Sequence, residues 1–306
     1  MSQTGGPESG TAEMIAALSQ GVEGRSLWQD ARARFVRNRA AMAGLYGLAL
    51  IAAFAIFGPL ISPHDLEDVD IFNLKIMAKP SWHDGHWFGT DPNGRDLFVR
   101  TAYGARISLM IGIVTTAVAL SIGVLYGAAA GFLGGRIDNF MMRIVDVLYA
   151  LPLIFFIIIL VTVFGRNIFL VFVAIGAVEW LTMARIVRGQ TLSVKQKEFV
   201  EAAHAAGVGS GTIIRKHIIP NVIGPVVVFV TLLVPTNILI ESYLSFLGLG
   251  VQEPLTSWGV LIKQGASEME TAWWLLIFPA TFLAVTMFCF NFIGDGLRDA
   301  LDPKDR

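Results

Sequence analysis

Six long apolar runs separated by polar segments set the pattern of the chain: 41–61, 107–135, 147–165, 167–184, 218–247 and 271–294. Each is close to or longer than the roughly 20 residues an α-helix needs to cross a bilayer. The pattern predicts an all-α integral membrane protein with six transmembrane helices. The second run is long enough to tilt or to project beyond the lipid. Pro152, Pro225, Pro235 and Pro279 fall in or beside the runs, where they would kink helices.

The polar stretch 193–220 lies between two of these runs and does not read as a slack linker. Ser193 followed by Gln196 matches a capping box, and 198–206 is built mostly of good helix formers. Gly207 supplies a residue able to take positive φ and end that helix. Ser210 would cap a second short helix carrying Ile213, Ile214 and Ile218, punctuated by Pro220. Ala202, Ala203 and Ala206, with Phe199 near them, give a face that another backbone could approach closely. Glu201 leaves a charge at its edge for a partner cation. The alternative is a solvated loop.

Residues 1–24 are rich in Gly, Ser, Glu and Ala without a strong period and are expected to form a mobile tail. Ser26-Leu27-Trp28-Gln29 is a second capping box, opening a segment at 25–40. Trp28, Ala31 and Phe35 fall on one side, with Arg32, Arg34, Arg37 and Arg39 largely on the others. That predicts an interfacial amphipathic helix, with the arginines toward lipid phosphates; a simple lead-in to the first span is the alternative. No early apolar stretch reads as a cleavable signal peptide.

Charge then orients the spans. Most of the 23 lysines and arginines fall in the segments that are cytoplasmic if both termini lie inside, as the positive-inside rule requires. The stretch 193–220 then faces the cytoplasm and 62–104 forms an outer loop. Composition agrees with a membrane protein: 54% hydrophobic residues, 15% charged and a mean hydropathy of +0.62, against about 25% charge in soluble domains. The single cysteine, Cys289, lies in an apolar run and reads as a small buried hydrophobe.

In the outer loop Asp91, Asn93 and Asp96 raise the question of calcium. Arg95 and Asp96 occupy the positions where an EF-hand-type loop needs an oxygen ligand and a glycine, so a turn held by Asp91, Gly94 and an Arg95–Asp96 network is expected instead. His64, His83 and His86 lack zinc-like regularity, and no metal site is expected. Between the second and third runs, Arg136, Asp138, Arg143 and Asp146 are spaced to pair along one helix. Gly123, Gly127, Gly131 and Gly135 recur every four residues and would allow close helix packing. Two acids lie inside apolar runs. Glu179 and Glu241 would each cost about 2.5–3.5 kcal/mol at a helix centre, so each should face protein or a water-filled path. For Glu179 a salt bridge with Arg185 is the alternative. Glu241 opens a segment, ESYLSFLGLGVQEPLTSWG, whose glycines permit a sharp bend and return.

No phosphate-binding loop of the G-x-x-x-x-G-K-[ST] type occurs, and no nucleophile–base pair or Cys/His metal cluster is visible. An enzyme reading has no catalytic residues to stand on, and nothing points to nucleic acid.

Glu201-Ala202-Ala203, Gly207 and Pro220 closely resemble the EAA loop of ABC-importer membrane subunits. That pattern ordinarily ends in Ile-x-Leu-Pro, and His217 and Ile219 depart from it. FGTDPNGRDL, ARIVRGQTLS, ESYLSFLGLGVQEPLTSWG and NFIGDGLRDALDPKDR extend the resemblance from Val22 onward, to the C-type membrane subunits of the oligopeptide and dipeptide permease family. The resemblance implies one leading helix plus a five-helix permease core at 41–306 in a bacterial inner membrane. It also implies a homologous B-type permease subunit, two ABC ATPase subunits that bind ATP and Mg, and an extracytoplasmic peptide-binding protein. Glu201, Ala202, Ala203, Gly207 and Pro220 would then carry ATPase coupling, with no cofactor in this chain. Dipeptides, glutathione or nickel are substrates of the same architecture. An ATP-independent secondary transporter is the rival class, which would need buried ion-coupling groups of which Glu179 and Glu241 are the only candidates; a membrane scaffold would need no docking loop.

Overall fold

The computed structural model describes residues 27–69, 75–165 and 167–301; the tail at 1–24 and Ser26 lie outside them. Among the described residues the chain is helical, its one strand-like feature being an isolated antiparallel bridge between Thr90 and Asp96. A short helix α1 (Leu27–Arg37) leads into α2 (Arg39–Ile61). Asn38 separates them: its side chain accepts hydrogen bonds from the amides of Ala40 and Ala41 and so caps α2. After the outer loop come α3 (Leu97–Leu133), α4 (Gly135–Tyr149), α5 (Leu153–Phe164) and α6 (Ile168–Val194). The remainder is α7 (Glu198–Ala205), α8 (Ser210–Ile213), α9 (Ile219–Phe246), α10 (Trp258–Ser267) and α11 (Trp274–Leu301).

Four described helical stretches are long and apolar enough to cross a membrane: Arg39–Ile61, Leu97–Leu133, Ser210–Phe246 and Trp274–Leu301. A bent pair, Gly135–Tyr149 with Ile154–Phe164, makes a fifth if it is one span. The third apolar run is therefore not one straight rod. Pro152 lacks the amide that would continue α4 and disfavours helical geometry before it, so the chain breaks and α5 restarts after it. The second run does project: α3 has 37 residues, about 55 Å at 1.5 Å per residue. Its first turns, with Leu97, Val99, Arg100 and Thr101, are buried.

Packing follows from small residues. α3 and α6 form the most extensive helix pair, and three of the four spaced glycines lie at its seam. A Cβ on Gly123 would come within 2.6 Å of Met183 Cβ, and one on Gly131 within 2.9 Å of the Arg188 carbonyl oxygen. Gly127 lies directly against the Ala184 carbonyl. Gly135 does not join them; it sits beyond the end of α3 at φ +57° with open space beside it. α9 turns a stripe inward through Val222, Val226, Leu233, Asn237, Glu241 and Leu244, the three- and four-residue spacing of an amphipathic helix. Asn237 ties it to α3 by donating to Thr116 Oγ1 at 2.9 Å.

The charges of the α4 region pair across helices, not along one. Asp138 takes two hydrogen bonds from Arg188, and Asp146 one from Arg185 at 2.8 Å. Both arginines belong to α6, which lies against α4, so partners on the neighbouring helix replace pairing along α4, where only Arg143 and Asp146 stand at helical spacing. Arg185, also stacked over Tyr149, is thereby taken from Glu179. The expected helix at 25–40 ends at Arg37, and it packs against α11: Phe35 approaches Gly296 and Ala31 is buried.

Candidate functional site: the hooked loop at 193–220

The loop is a helix–turn–helix built outward from the membrane-length helices. α6 runs ten residues past the end of the fourth apolar run because Val187 and Thr191 are still buried. Ser193 is therefore inside a helix, with its hydroxyl directed to the Gly189 carbonyl. It is not the expected cap; Lys197 stands at the N-cap of α7 and contributes no side-chain bond. Lys195 Nζ reaches back to the carbonyls of Phe132 (3.0 Å) and Gly131 (3.4 Å) at the C-terminus of α3, where a cation satisfies orphan acceptors and the helix dipole.

α7 is eight residues long and pinned by one side chain. Val200 is buried in a cluster with Ala128 of α3, Met183 and Val187 of α6, Ile213 and Ile218 of the second loop helix, and Val222 and Val226 of α9. Gly207 ends the hook as expected, at φ +76°, with nothing within 4 Å of the point a Cβ would occupy. Its amide donates to the His204 carbonyl, and that of Val208 to Ala203. Ser210 is not a cap either: Gly209 holds that position, since its extended backbone already opens the turn without a side-chain acceptor.

The largest departure from expectation is at Pro220. The second helix does not stop before it. Ile214–Ile218 form a π-turn that carries α8 directly into α9, giving one helical run from Ser210 to Phe246. Pro220 sits in the first turn of α9, directly after the wider π-turn, which accommodates its ring and missing amide. The second loop helix, α8, is thus the end of a membrane-length rod.

On the outward face of α7, Glu198, Phe199, Glu201, Ala202 and His204 are exposed, continuing through Ala205, Ala206 and Gly207. Ala203 is half-buried and packs on the Val200 cluster, so the open small-residue surface is Ala202, Ala205 and Ala206. Pro220 is exposed. Of the anchors, Ile213 and Ile218 are among the apolar residues expected on the second loop helix, whereas Val200 and Lys195 are not singled out by the sequence pattern; an isolated valine in a polar segment is the one available signal.

Glu241 is fully enclosed on α9. Ser245 and Ser257 donate to its Oε1 at 2.6 and 2.7 Å, and Ser108 approaches Oε2 at 3.5 Å. The Trp258 amide in turn donates to Ser108 Oγ. One carboxyl therefore joins α3, α9 and the start of α10, which favours a structural role over one lining a path. Glu179 is buried on α6. Gly248, at φ +80°, makes the bend after α9, and the return through 249–257 delivers α10.

The outer loop is held by its own charges. Asp91 accepts from the amides of Asn93 and Arg95 and from Arg95 Nε at 2.8 Å, and Arg100 lies 3.1 Å away. Arg95 also donates to Glu253 at 2.7 Å, clasping the loop to the turn after α9. That hydrogen bond, with the charges of Arg95 and Arg100, holds the Glu253 carboxyl below its usual range. Asp96 does not pair with Arg95. It caps α3 by accepting from the Val99 amide and faces His86 Nδ1 at 2.9 Å. The histidines are not equivalent loop residues: His64 stacks on His86, with ring centroids 4.1 Å apart, while His83 is exposed.

Long apolar helices joined by a hooked loop with one exposed face define a multi-pass membrane protein. The chain belongs to the family of binding-protein-dependent transport system inner membrane components, whose model matches residues 123–306. Residues 26–80 match the N-terminal transmembrane domain of oligopeptide transport permease C. The oligopeptide transport system permease protein OppC of Haemophilus influenzae is 59% identical over 93% of this chain and 91% of its own length. The protein of the same name from Escherichia coli K12 is 60% identical over 93% and 94%. The dipeptide transport system permease protein DppC of Bacillus subtilis is 47% identical over 92% and 87%.

Proposed function

We propose that this chain is the permease subunit of an ATP-driven importer that takes up oligopeptides across the bacterial inner membrane. It forms the translocation path with a homologous B-type permease subunit. Two ABC ATPase subunits bind ATP and Mg and hydrolyse the nucleotide; an extracytoplasmic peptide-binding protein delivers the substrate. The chain crosses the membrane six times, with both termini and the 193–220 loop in the cytoplasm. The 59–60% identity to permeases named for oligopeptides supports oligopeptides as the substrate; dipeptides, glutathione or nickel are the alternatives within the same architecture.

One observation carries the mechanism: a short exposed helix, α7, is pinned through Val200 to a core shared by α3, α6 and α9. Closure of the ATPase pair moves α7; the buried pin and the unbroken Ser210–Phe246 rod carry that displacement into the membrane. Glu201 and Ala202 supply the docking surface, Ala203 its inner support, Gly207 the turn and Pro220 the join to the rod. ATP and delivered peptide must bias the same two-state element for transport to be coupled.

The test is Glu201→Lys and Gly207→Asp in the assembled complex. Both are expected to abolish peptide uptake and peptide-stimulated ATP hydrolysis while the chain stays in the membrane. Full uptake with normal stimulation in either variant counts against the coupling role. Uptake that persists after the ATPase subunits are disabled would instead favour an ATP-independent transporter.

A further inference from the structure

We propose that His64, His86 and Asp96 form a binding site for a divalent transition-metal ion of zinc-like chemistry, on the outer loop between α2 and α3. One ligand atom from each of the three lies within 4.8 Å of the others. Asp96 and His86 are buried, and His64 is half-buried. The three residues arrive from separate parts of the loop: His64 just past the end of α2, His86 in the middle, and Asp96 at the N-cap of α3.

The unsatisfied chemistry of the cluster points to a cation. His64 Nε2 is shut off from solvent and has no hydrogen-bond partner among the described residues. A buried imidazole nitrogen in that state is an anomaly that a ligand would relieve. Asp96 already spends Oδ1 on the Val99 amide, which fixes the carboxylate and presents Oδ2 to the histidines, 2.9 Å from His86 Nδ1. Gly85, at φ +74°, leaves the space beside His64: a Cβ there would come 3.2 Å from Nε2.

The donor set selects the metal class. Two imidazoles and one carboxylate suit zinc and its neighbours, whereas calcium and magnesium require a cage of oxygens. Three protein ligands leave a fourth position for water. Closing on an ion at the roughly 2.0–2.1 Å of a zinc–imidazole bond requires His64 to turn out of its parallel stack on His86 and the ion to replace the hydrogen bond between His86 and Asp96. The ion would then fasten the end of α2 to the start of α3.

The experiment uses the full-length chain in lipid nanodiscs, stripped with chelator and titrated with Zn²⁺ alone, with Co²⁺ as an absorbance probe. The wild type and His83→Ala are expected to bind one ion per chain, with a Co²⁺ visible band and a Zn²⁺-dependent rise in melting temperature. His64→Gln, which keeps a polar side chain in place, is expected to weaken binding by at least the roughly 10–100-fold typical of changes around metal ligands, and to lose both signals. Absence of stoichiometric Zn²⁺ in the wild type overturns the proposal, leaving His86 and Asp96 as a hydrogen-bonded cap. So does undiminished binding by His64→Gln, which would place the ion elsewhere.

Discussion

Arg188 of α6 grips Asp138 of α4 with two parallel hydrogen bonds, Nε to Oδ1 at 2.6 Å and Nη2 to Oδ2 at 2.7 Å. The pair bridges 50 positions of sequence and closes the loop side of the bundle where α3, α4 and α6 meet. Asp138 is buried, with its side chain 8% exposed, while that of Arg188 is 33% exposed. Solvent screening on the arginine side places the pair at the lower end of charge-assisted bonds. Asp138→Asn is expected to destabilise the chain by about 1.5 kcal/mol, read as a lower melting temperature in nanodiscs. The charge-exchanged double variant, Asp138→Arg with Arg188→Asp, should lose less than the sum of its two single changes. Strict additivity would mean that the two groups do not stabilise each other.

Glu253 gives the outer face a pH dependence of known sign. Its carboxyl is held below the ordinary 4.5 by the hydrogen bond from Arg95 and the nearby guanidinium charges. A depressed folded-state value means that the ionised clasp stabilises the fold above about pH 4.5 and is lost as pH falls through that lower value. Glu253→Gln should therefore melt below the wild type at about pH 7, and the two curves should converge under acid. A gap that stays constant from neutral pH into acid would show that ionisation of Glu253 contributes nothing.

Two glycines one helix apart should respond in opposite directions. A Cβ on Gly127 would press on the Ala184 carbonyl, come 2.9 Å from Val187 Cβ and lie 3.0 Å from the Arg188 amide. Backbone and core atoms cannot step aside, so Gly127→Val should cost about 1–3 kcal/mol by overpacking and separate α3 from α6. Gly189, inside α6, has nothing within 4 Å. Gly189→Ala should be neutral or stabilising by up to about 1 kcal/mol, the difference in helix propensity. Thermal melts of both variants decide it.

Four of the six apolar runs are legible in the sequence as membrane-length helices, and a fifth as a bent pair, because hydropathy and length together mark a helix able to cross lipid. The glycine stripe at 123, 127 and 131 is legible because close packing needs small residues at helical spacing. The positive φ of Gly207 is legible for a different local reason, since the end of a short helix favours glycine in the left-handed region. What escapes is everything set by neighbours far along the chain. Asp138 has Arg136 and Arg143 nearby on its own helix, yet its partner is Arg188 of α6. Arg95 bonds to Glu253, 158 residues away. No spacing rule brings His64 to His86 and Asp96. Pro220 misleads because a proline usually ends a helix, whereas here a π-turn absorbs it at the first turn of α9. Ser193 and Ser210 have cap-type side chains, but tertiary packing prolongs α6 past one and a glycine holds the cap position before the other.

Glu241 is the point where three elements share one side chain. Leucine at this position would leave the Ser108, Ser245 and Ser257 hydroxyls without their acceptor, whereas glutamine keeps an oxygen for Ser245 and Ser257 and turns an amide NH2 toward the Ser108 oxygen. Glu241→Leu is therefore expected to be less stable than Glu241→Gln by about 1–3 kcal/mol. Limited proteolysis at the turn after α9 should be faster in the leucine variant, because Ser257 also caps α10 through the Val260 amide. Equal stability of the two variants would mean that the hydroxyls find other acceptors and that the carboxyl is not the bracket joining α3, α9 and α10.

Val200 allows docking to be separated from transmission. Its side chain never reaches the exposed face of α7; it is 3% exposed and lies in the cluster joining α3, α6 and α9. Val200→Ala removes two buried methyl groups, a cost of about 2 kcal/mol including the cavity, small enough for the fold to survive. The outward residues Glu201 and Ala202 are untouched, so the variant should still recruit ATPase subunits in co-purification. With a loosened pin, movement of α7 is no longer delivered to the rods, and peptide uptake per assembled complex should fall several-fold. Glu198→Gln, an exposed neighbour on the same helix, should leave uptake unchanged. If Val200→Ala transported peptide at the wild-type rate per complex, force would have to enter the membrane by another route, such as Lys195 on the carbonyls of Gly131 and Phe132.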